Sequence, residues 1–278
     1  MNYLFFGTAG IPITAKENST VSGIKRIKEL GLNAMELEFV HGVNMKKEKA
    51  LKVRKTNEKE KIKLSVHAPY YINLNAEKES IVKASIKRIV DSAVIGGIAG
   101  AEYVVVHLGY RMMKERKQVM EAMTENTGKT LDKLKEKNCK LMVCGETTGK
   151  VSQFGDLDEL IELSDNLKSK QFGVCVDFAH LHARGNGCLK NLKDFERILE
   201  TIKKQKPEWL KELRMHVSGI NYSEKGERNH LNLDESDFKY KELLKALKKF
   251  KVSGRIICES HNLETDALKM QNYWKQLK

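Results

Sequence analysis

Gly173 to Gly185 reads GVCVDFAHLHARG, and this stretch decides how the rest of the chain is parsed. Gly173–Val176 is short, apolar and β-branched, the composition of a buried strand. The run stops on Asp177, and His180 follows three residues later. An acid at the end of a buried strand, with an imidazole one turn further on, can supply two ligands to one metal site. The same Asp would equally cap a following helix and leave the His at the surface. The neighbouring runs bear on the choice.

Working outward, strand-like runs occur at Tyr3–Gly7, Asn33–Val40, Lys63–His67, Tyr103–His107, Lys140–Glu146, Phe172–Asp177, Leu213–His216 and Arg255–Glu259. Helical segments lie between them: Ser19–Leu30, Lys46–Lys61, Lys78–Ala99, Met113–Lys137, Leu157–Leu167, Leu192–Lys204 and Phe238–Phe250, with one more closing the chain. Ser19–Leu30 carries Val21, Ile24, Ile27 and Leu30 at helical spacing. In Asn33–Val40, Glu36 and Glu38 alternate with Met35, Leu37 and Phe39. Val217–Asp234 reads as a loop. No Pro- or Ser-rich linker and no low-complexity segment interrupts the series. Eight strand–helix units predict an α/β fold, a single (β/α)8 TIM barrel, with one domain over residues 1–278; a doubly wound open sheet is the alternative.

In such a barrel the C-terminal ends of all strands converge on one mouth, where barrel enzymes work. The third to eighth strands end on His67, His107, Glu146, Asp177, His216 and Glu259. All are metal-ligand types, and all fall at the same end. Mixed imidazoles and carboxylates suit zinc, manganese or iron and suit magnesium or calcium poorly. There are too many for one tetrahedral ion; two or three ions sharing a carboxylate bridge would use them all. Such a multinuclear centre cleaves phosphodiesters, one ion generating the nucleophile and another taking charge on the leaving oxygen.

Composition narrows the partners. The net charge is +13, from 50 Lys and Arg against 37 Asp and Glu, which favours a polyanion such as nucleic acid. A Lys-rich solvated surface of the kind found at high growth temperature gives the same balance. No apolar run approaches the ~20 residues needed to span a bilayer, so no membrane partner is expected. Met1–Gly10 is strand-like and lacks the basic n-region and cleavage site of a signal peptide. Cys144, Cys175 and Cys258 lie in apolar runs and read as buried thiols in a reducing cytoplasm. A cytoplasmic, monomeric protein is the expectation.

The chain resembles the endonuclease IV family of abasic-site endonucleases (AP endonuclease family 2, within the xylose-isomerase-like barrels), as a variant of archaeal type. The resemblance rests on His67-Ala-Pro-Tyr70-Tyr-Ile-Asn73, Val106-His107-Leu-Gly109, Gly145-Glu146-Thr-Thr-Gly149, and Gly173-Val-Cys-Val-Asp177-Phe-Ala-His180. Met215-His216, a downstream His230 and Ile257-Cys258-Glu259 complete it. It implies a trinuclear zinc site in which His67 and His107 hold one ion and Glu146 bridges to a second. Asp177, His216 and Glu259 would complete the second ion, and His180 and His230 would belong to the third. The implied reaction is hydrolysis of double-stranded DNA on the 5′ side of an abasic site, with Glu146 the central catalytic residue. Flipping the abasic nucleotide out is cheap because no base has to be unstacked. Tyr70, with Tyr71 beside it, falls where the family pushes a side chain into the minor groove.

Three segments depart from the family pattern. The family's third-metal loop has an Asp two residues before its second His; here Arg228 holds that position and Glu227 is the nearest acid. In a plain extended stretch Glu227 and His230 would face opposite ways. A turn at Gly226 would bring Glu227 round to complete the third site with His180 and His230. After His216 the chain reads Val-Ser-Gly where bacterial members carry Leu-Asn-Asp, and Phe39–Val43 lacks their basic run. His41, His182 and His261 match no family ligand.

Two other classes fit parts of the sequence. A metal-dependent sugar isomerase or epimerase on the same barrel would use Glu146, Asp177, Glu259 and His216, but needs neither the other imidazoles nor the charge. A lesion-binding protein without catalysis would keep the fold and lose the third site.

Overall fold

The computed structural model describes residues 3–277; Met1, Asn2 and Lys278, which the expected domain span and the strand-like N-terminus include, lie outside the described residues. Eight parallel strands close into a barrel: β1 (Leu4–Ala9), β2 (Ala34–Glu38), β3 (Lys63–His67), β4 (Tyr103–Val106), β5 (Met142–Glu146), β6 (Phe172–Asp177), β7 (Leu213–Val217) and β10 (Gly254–Cys258). The closing pair is β1 with β10, in register from Leu4 against Gly254 to Thr8 against Cys258. The TIM barrel predicted from the alternation is the observed fold, and an open sheet is excluded.

The connecting helices are α1 (Thr20–Glu29), α2 (Lys47–Glu60), α3 (Glu79–Ala99), α4 (Arg116–Glu136), α5 (Leu157–Leu167), α6 (Phe178–Arg184), α7 (Leu192–Gln205), α8 (Tyr240–Lys249) and α9 (Glu264–Gln276). Local chemistry starts several of them. Ser19 caps α1 by accepting from the Ser22 amide, and Asp156 and Asn191 form capping boxes with Glu159 and Asp194. Residues of the opposite strand faces, such as Met35, Leu37, Val66, Val104 and Val176, pack under the helices in one continuous core. Burying them is the main driving force, at about 25 cal/mol per Å² removed from water. No described helix is long and apolar enough to cross a membrane.

Inside the barrel the two ends differ. At the base, the Tyr103 ring lies between two guanidinium groups, with the Arg255 and Arg214 carbons 4.9 and 5.3 Å from its centroid. Arg255 donates to the Leu64 carbonyl and pairs with Glu102, which closes this end. The mouth is lined by acids and imidazoles.

Two local features differ from the sequence expectation. Val217–Asp234 holds an antiparallel hairpin, β8 (Gly219–Ser223) and β9 (Gly226–Leu231), outside the barrel sheet. Its strands are short and mostly polar, with Ile220 the one buried apolar side chain, so they lack the apolar alternation a strand needs to be seen in sequence. The other is α6, which begins directly after Asp177 and is only two turns long. Beyond these two, helix α4 begins at Arg116, three residues later than the spacing predicts, because Met112 and Met113 adopt left-handed backbone angles.

Candidate metal centre

Glu146, at the last position of β5, is fully buried and stands in the middle of the mouth. Its Oε2 lies 3.2 Å from His67 Nε2 and 2.9 Å from His107 Nε2. Its Oε1 lies 3.1 Å from His216 Nδ1 and 3.4 Å from His180 Nδ1. His67 ends β3, and His107 is one residue past β4, so equivalent strand ends deliver all of these groups to one point. Glu259, one residue past β10, brings Oε1 to 3.4 Å from His216 Nδ1.

Asp177 serves two purposes at once. Its Oδ1 accepts the His180 amide at 2.7 Å, capping α6 as the capping reading expects. Its Oδ2 is buried without a hydrogen-bond donor and faces the centre, 3.3 Å from His180 Nδ1. The cap and the candidate ligand are therefore the same side chain.

Three sets can each surround one cation, with ligand atoms all within 4.8 Å of one another. They are His67, His107 and Glu146; Glu146, Asp177, His216 and Glu259; and Asp177, His180 and His230. The donor chemistry fits a metal. The Ala68 carbonyl lies 2.8 Å from His67 Nδ1 and the Thr147 carbonyl 2.9 Å from His180 Nδ1. A carbonyl only accepts, so Nδ1 carries the proton and the neutral ring keeps a lone pair on Nε2. Asp177 Oδ2 and Glu259 Oε2 are buried acceptors with no donor, a costly state that a cation relieves. A cluster of buried acids is otherwise unstable. Burial, helped by the charges of Glu146 and Asp177, drives the Glu259 carboxyl well above its ordinary range. Burial acts the same way on Glu146, but the His107 and His216 charges outweigh it and hold Glu146 well below.

Glu227 joins this centre by a route the sequence hides. In the hairpin Tyr222 pairs with Glu227 and Asn221 with Asn229, so Arg228 is the extra residue of a β-bulge. One extra residue reverses the alternation, and Glu227 and His230 then share a face. Gly226 has φ +95°, as a turn there requires. Glu227 Oε2 lies 3.5 Å from His180 Nε2, its Oε1 lies 3.7 Å from His230 Nε2, and the two Nε2 atoms are 3.3 Å apart. A plain extended stretch would put the two on opposite faces; the turn at Gly226 and the bulge at Arg228 are why they share one. Gly149 leaves room for the carboxylate: a Cβ there would meet Glu227 Cβ at 2.6 Å and Oε2 at 2.7 Å.

Glu36 and Glu38 are acids that the sequence does not mark as site residues. Glu36 Oε1 approaches His216 Nε2 and Glu36 Oε2 accepts from Ser65 Oγ at 2.6 Å, wholly inside the barrel. The alternation of Asn33–Val40 carried that signal, since it put Glu36 and Glu38 on one face. Burial, with the Glu36 charge beside it, pushes Glu38 up to about 7. Tyr70 walls the mouth, its ring centroid 5.4 Å from that of His67 and 6.0 Å from that of His107, while Tyr71 points to solvent. His261 also lines this cavity of about 370 Å³, and Lys150 is its one Lys or Arg among the described residues. His182 is buried away from the mouth, 3.0 Å from Asp237, and His41 is exposed.

A model of the xylose isomerase-like TIM barrel family matches residues 24–277. The chain belongs to that family. Within it, this barrel is 41% identical over 275 residues to an uncharacterized protein of Methanocaldococcus jannaschii, spanning 99% of this chain and 98% of that protein. It is 29% identical over 186 residues to a probable endonuclease 4 of Mycoplasma genitalium, covering 66% of this chain and 61% of that protein. Two solved barrels align over nearly the full length. Endonuclease IV from Thermus thermophilus gives a TM-score of 0.73 at 18% identity, covering 99% of this chain and 98% of that one. A D-tagatose 3-epimerase-like protein gives 0.71 at 20% identity, covering 99% and 96%. At such identities these two share the fold with this barrel and no more.

Proposed function

We propose that the protein is a metal-dependent endonuclease that hydrolyses the backbone of double-stranded DNA 5′ to an abasic site. The observation that carries this reading is the extent of the donor set. Four residues (Glu146, Asp177, His216 and Glu259) suffice for one ion and would serve a sugar isomerase. His67, His107, His180, His230 and Glu227 extend the centre on two further sides, and an isomerase has no use for them. The relationship to a probable endonuclease 4 and the net charge of +13 support the same reading.

The residues divide the work as follows. His67 and His107 would hold one ion with Glu146, and Asp177, His216 and Glu259 would hold a second with the same carboxylate. His180, His230 and Glu227 would hold a third. Zinc suits this donor set best, with manganese or iron as chemically acceptable replacements. Bound ions would supply Lewis acidity at the phosphate and an activated water. Glu146, shared by two of the ligand sets, would offer one carboxylate to both ions, and the Ala68 and Thr147 carbonyls fix the His67 and His180 tautomers. Lys150 stands on the rim as a point charge for a phosphate oxygen. Tyr70 covers part of His67 and His107, and Tyr71 projects toward the groove. The protein acts as one cytoplasmic domain, as a monomer.

The test is nicking of a duplex bearing a single abasic site, run beside a ketohexose epimerisation assay, with metal content measured on undialysed protein. Incision 5′ to the lesion with two or three ions per chain is expected. Epimerisation without incision, and a single ion, would replace this reading with the isomerase.

A further inference from the structure

A second cavity, of about 590 Å³, lies at the base of the barrel, where β4, β5 and β7 begin. The strands separate it from the metal centre: Tyr103 starts β4 and His107 lies four residues on, about 13 Å away. The two guanidinium groups that flank the Tyr103 ring are not equivalent. The Nε of each lacks an acceptor. Arg255 is held by its outer nitrogens, on the Leu64 carbonyl at 3.1 Å and on Glu102. Arg214, which lines the cavity, forms no hydrogen bond among the described residues. Its one ion-pair neighbour, Glu212, stands 3.7 Å off with 67% of its side chain exposed, while the Arg214 side chain is 11% exposed. A guanidinium so nearly buried with no acceptor is costly, and an oxyanion relieves it.

We propose that this cavity binds a small phosphomonoester, its phosphate on the Arg214 fork and its organic group against Met142 and Cys139. The charge around the cavity selects a dianion. Lys135, Lys140 and Lys170 share the lining with Arg214, and their ammonium groups form no ion pair or hydrogen bond among the described residues. Of the two acids at the cavity, Glu102 is taken by Arg255 and by Lys63 at 2.7 Å, which leaves Glu212 alone. Four cations facing one free carboxylate suit a doubly charged phosphate, which a planar fork grips through two oxygens. Met142 and Cys139 add an apolar wall, each partly buried against the core. The walls are fixed before binding. Gln171 Nε2 donates to the Cys139 and Leu141 carbonyls at 2.7 and 3.0 Å, tying the segment that carries Lys140 to the one that carries Lys170. A preformed site loses little freedom when its ligand arrives. None of these residues serves the mouth, so the site is independent of the reaction there.

Isothermal titration of the metal-loaded protein with phenyl phosphate tests this, with benzoate as the carboxylate counterpart. Wild-type protein should take up phenyl phosphate and bind benzoate about tenfold more weakly. R214Q should weaken phenyl phosphate by about tenfold, the loss of one charge-assisted contact. K140Q/K170Q changes only exposed side chains and should do the same, which keeps the test open where R214Q fails to fold. Nicking should be unchanged in both variants, so a failure of the endonuclease reading leaves this site standing. Phenyl phosphate binding that K140Q/K170Q retains unchanged belongs to the ions at the mouth and overturns the site. Absence of binding by wild-type protein overturns it as well, and benzoate held as tightly as phenyl phosphate overturns the assignment to a phosphate.

Discussion

Glu36 Oε1 lies 3.0 Å from His216 Nε2, with both side chains wholly inside the barrel. The pair is too oblique for a formed hydrogen bond, since both atoms lack one; the contact is one of charge. It turns the Nε2 edge of the ring toward β2 and leaves Nδ1 facing Glu146 and Glu259. Acids behind metal-bound imidazoles act in this way, and losing one costs about 10–100-fold in metal affinity. Glu36→Gln should therefore keep the fold and release metal at a lower chelator concentration by about that factor. Unchanged release in a chelator titration would make Glu36 a buried charge with no hold on the centre.

Glu146 touches four imidazoles and, like Asp177, belongs to two of the ligand sets. An amide is a poor bridge between cations. Glu146→Gln should fold normally yet lose phosphodiester cleavage and at least one equivalent of metal. Retention of more than about a tenth of wild-type kcat, a loss of under ~1.4 kcal/mol, would assign the bridge to another residue.

Two substitutions converge on the third set. Glu227→Ala removes the carboxylate, and Gly149→Ala drives a methyl into the space it occupies. Each should cost one equivalent of metal and most of the nicking rate while the other ions stay. Elemental analysis of both proteins is the measurement. Full stoichiometry in both would make Glu227 a surface charge.

Metal removal has a signed pH dependence. Burial alone would lower the His67 pKa, but its hydrogen bond to Glu146 and the charge of that carboxylate raise it from 6.5 to about 10. In metal-free protein this contribution to stability is complete below 6.5 and lost as pH rises toward about 10. Burial would raise Glu227, yet the His180 charge brings it from 4.5 to about 2; its contribution is complete above 4.5 and lost toward pH 2. Metal competes with the His67 proton, so the loaded protein gains where the chelated one loses. The difference in Tm between loaded and chelated protein should widen from about pH 6 to pH 9. A gap that stays constant would remove His67 from the ligands.

DNA binding should fall steeply with salt, because each phosphate contact releases counterions. A slope of log K against log salt steeper than about −3 is expected for a duplex-binding mouth, and a shallower one would favour a small neutral substrate.

The barrel was legible in the sequence because it depends on patterns local in the chain. Apolar runs such as Tyr103–Val106 and helical spacing such as that of Ser19–Leu30 are set by each element's own burial. Parallel closure then carries every strand end to one mouth, so His67, His107, Glu146, Asp177, His216 and Glu259 could be grouped without coordinates. Tertiary structure alone decided what depends on pairing between distant segments. Glu36 reads as an ordinary acid until barrel closure turns it inward onto His216, 180 residues later in the chain. Glu227 is in the wrong register for His230 until the hairpin partner forces Arg228 into a bulge. Met113 reads as the start of a helix until the turn closed by the Lys114 N–H on the Arg111 carbonyl gives it left-handed backbone angles. A strand's face alternates by its own geometry, but its register, its bulges and its inward partners are fixed by the chain it packs against.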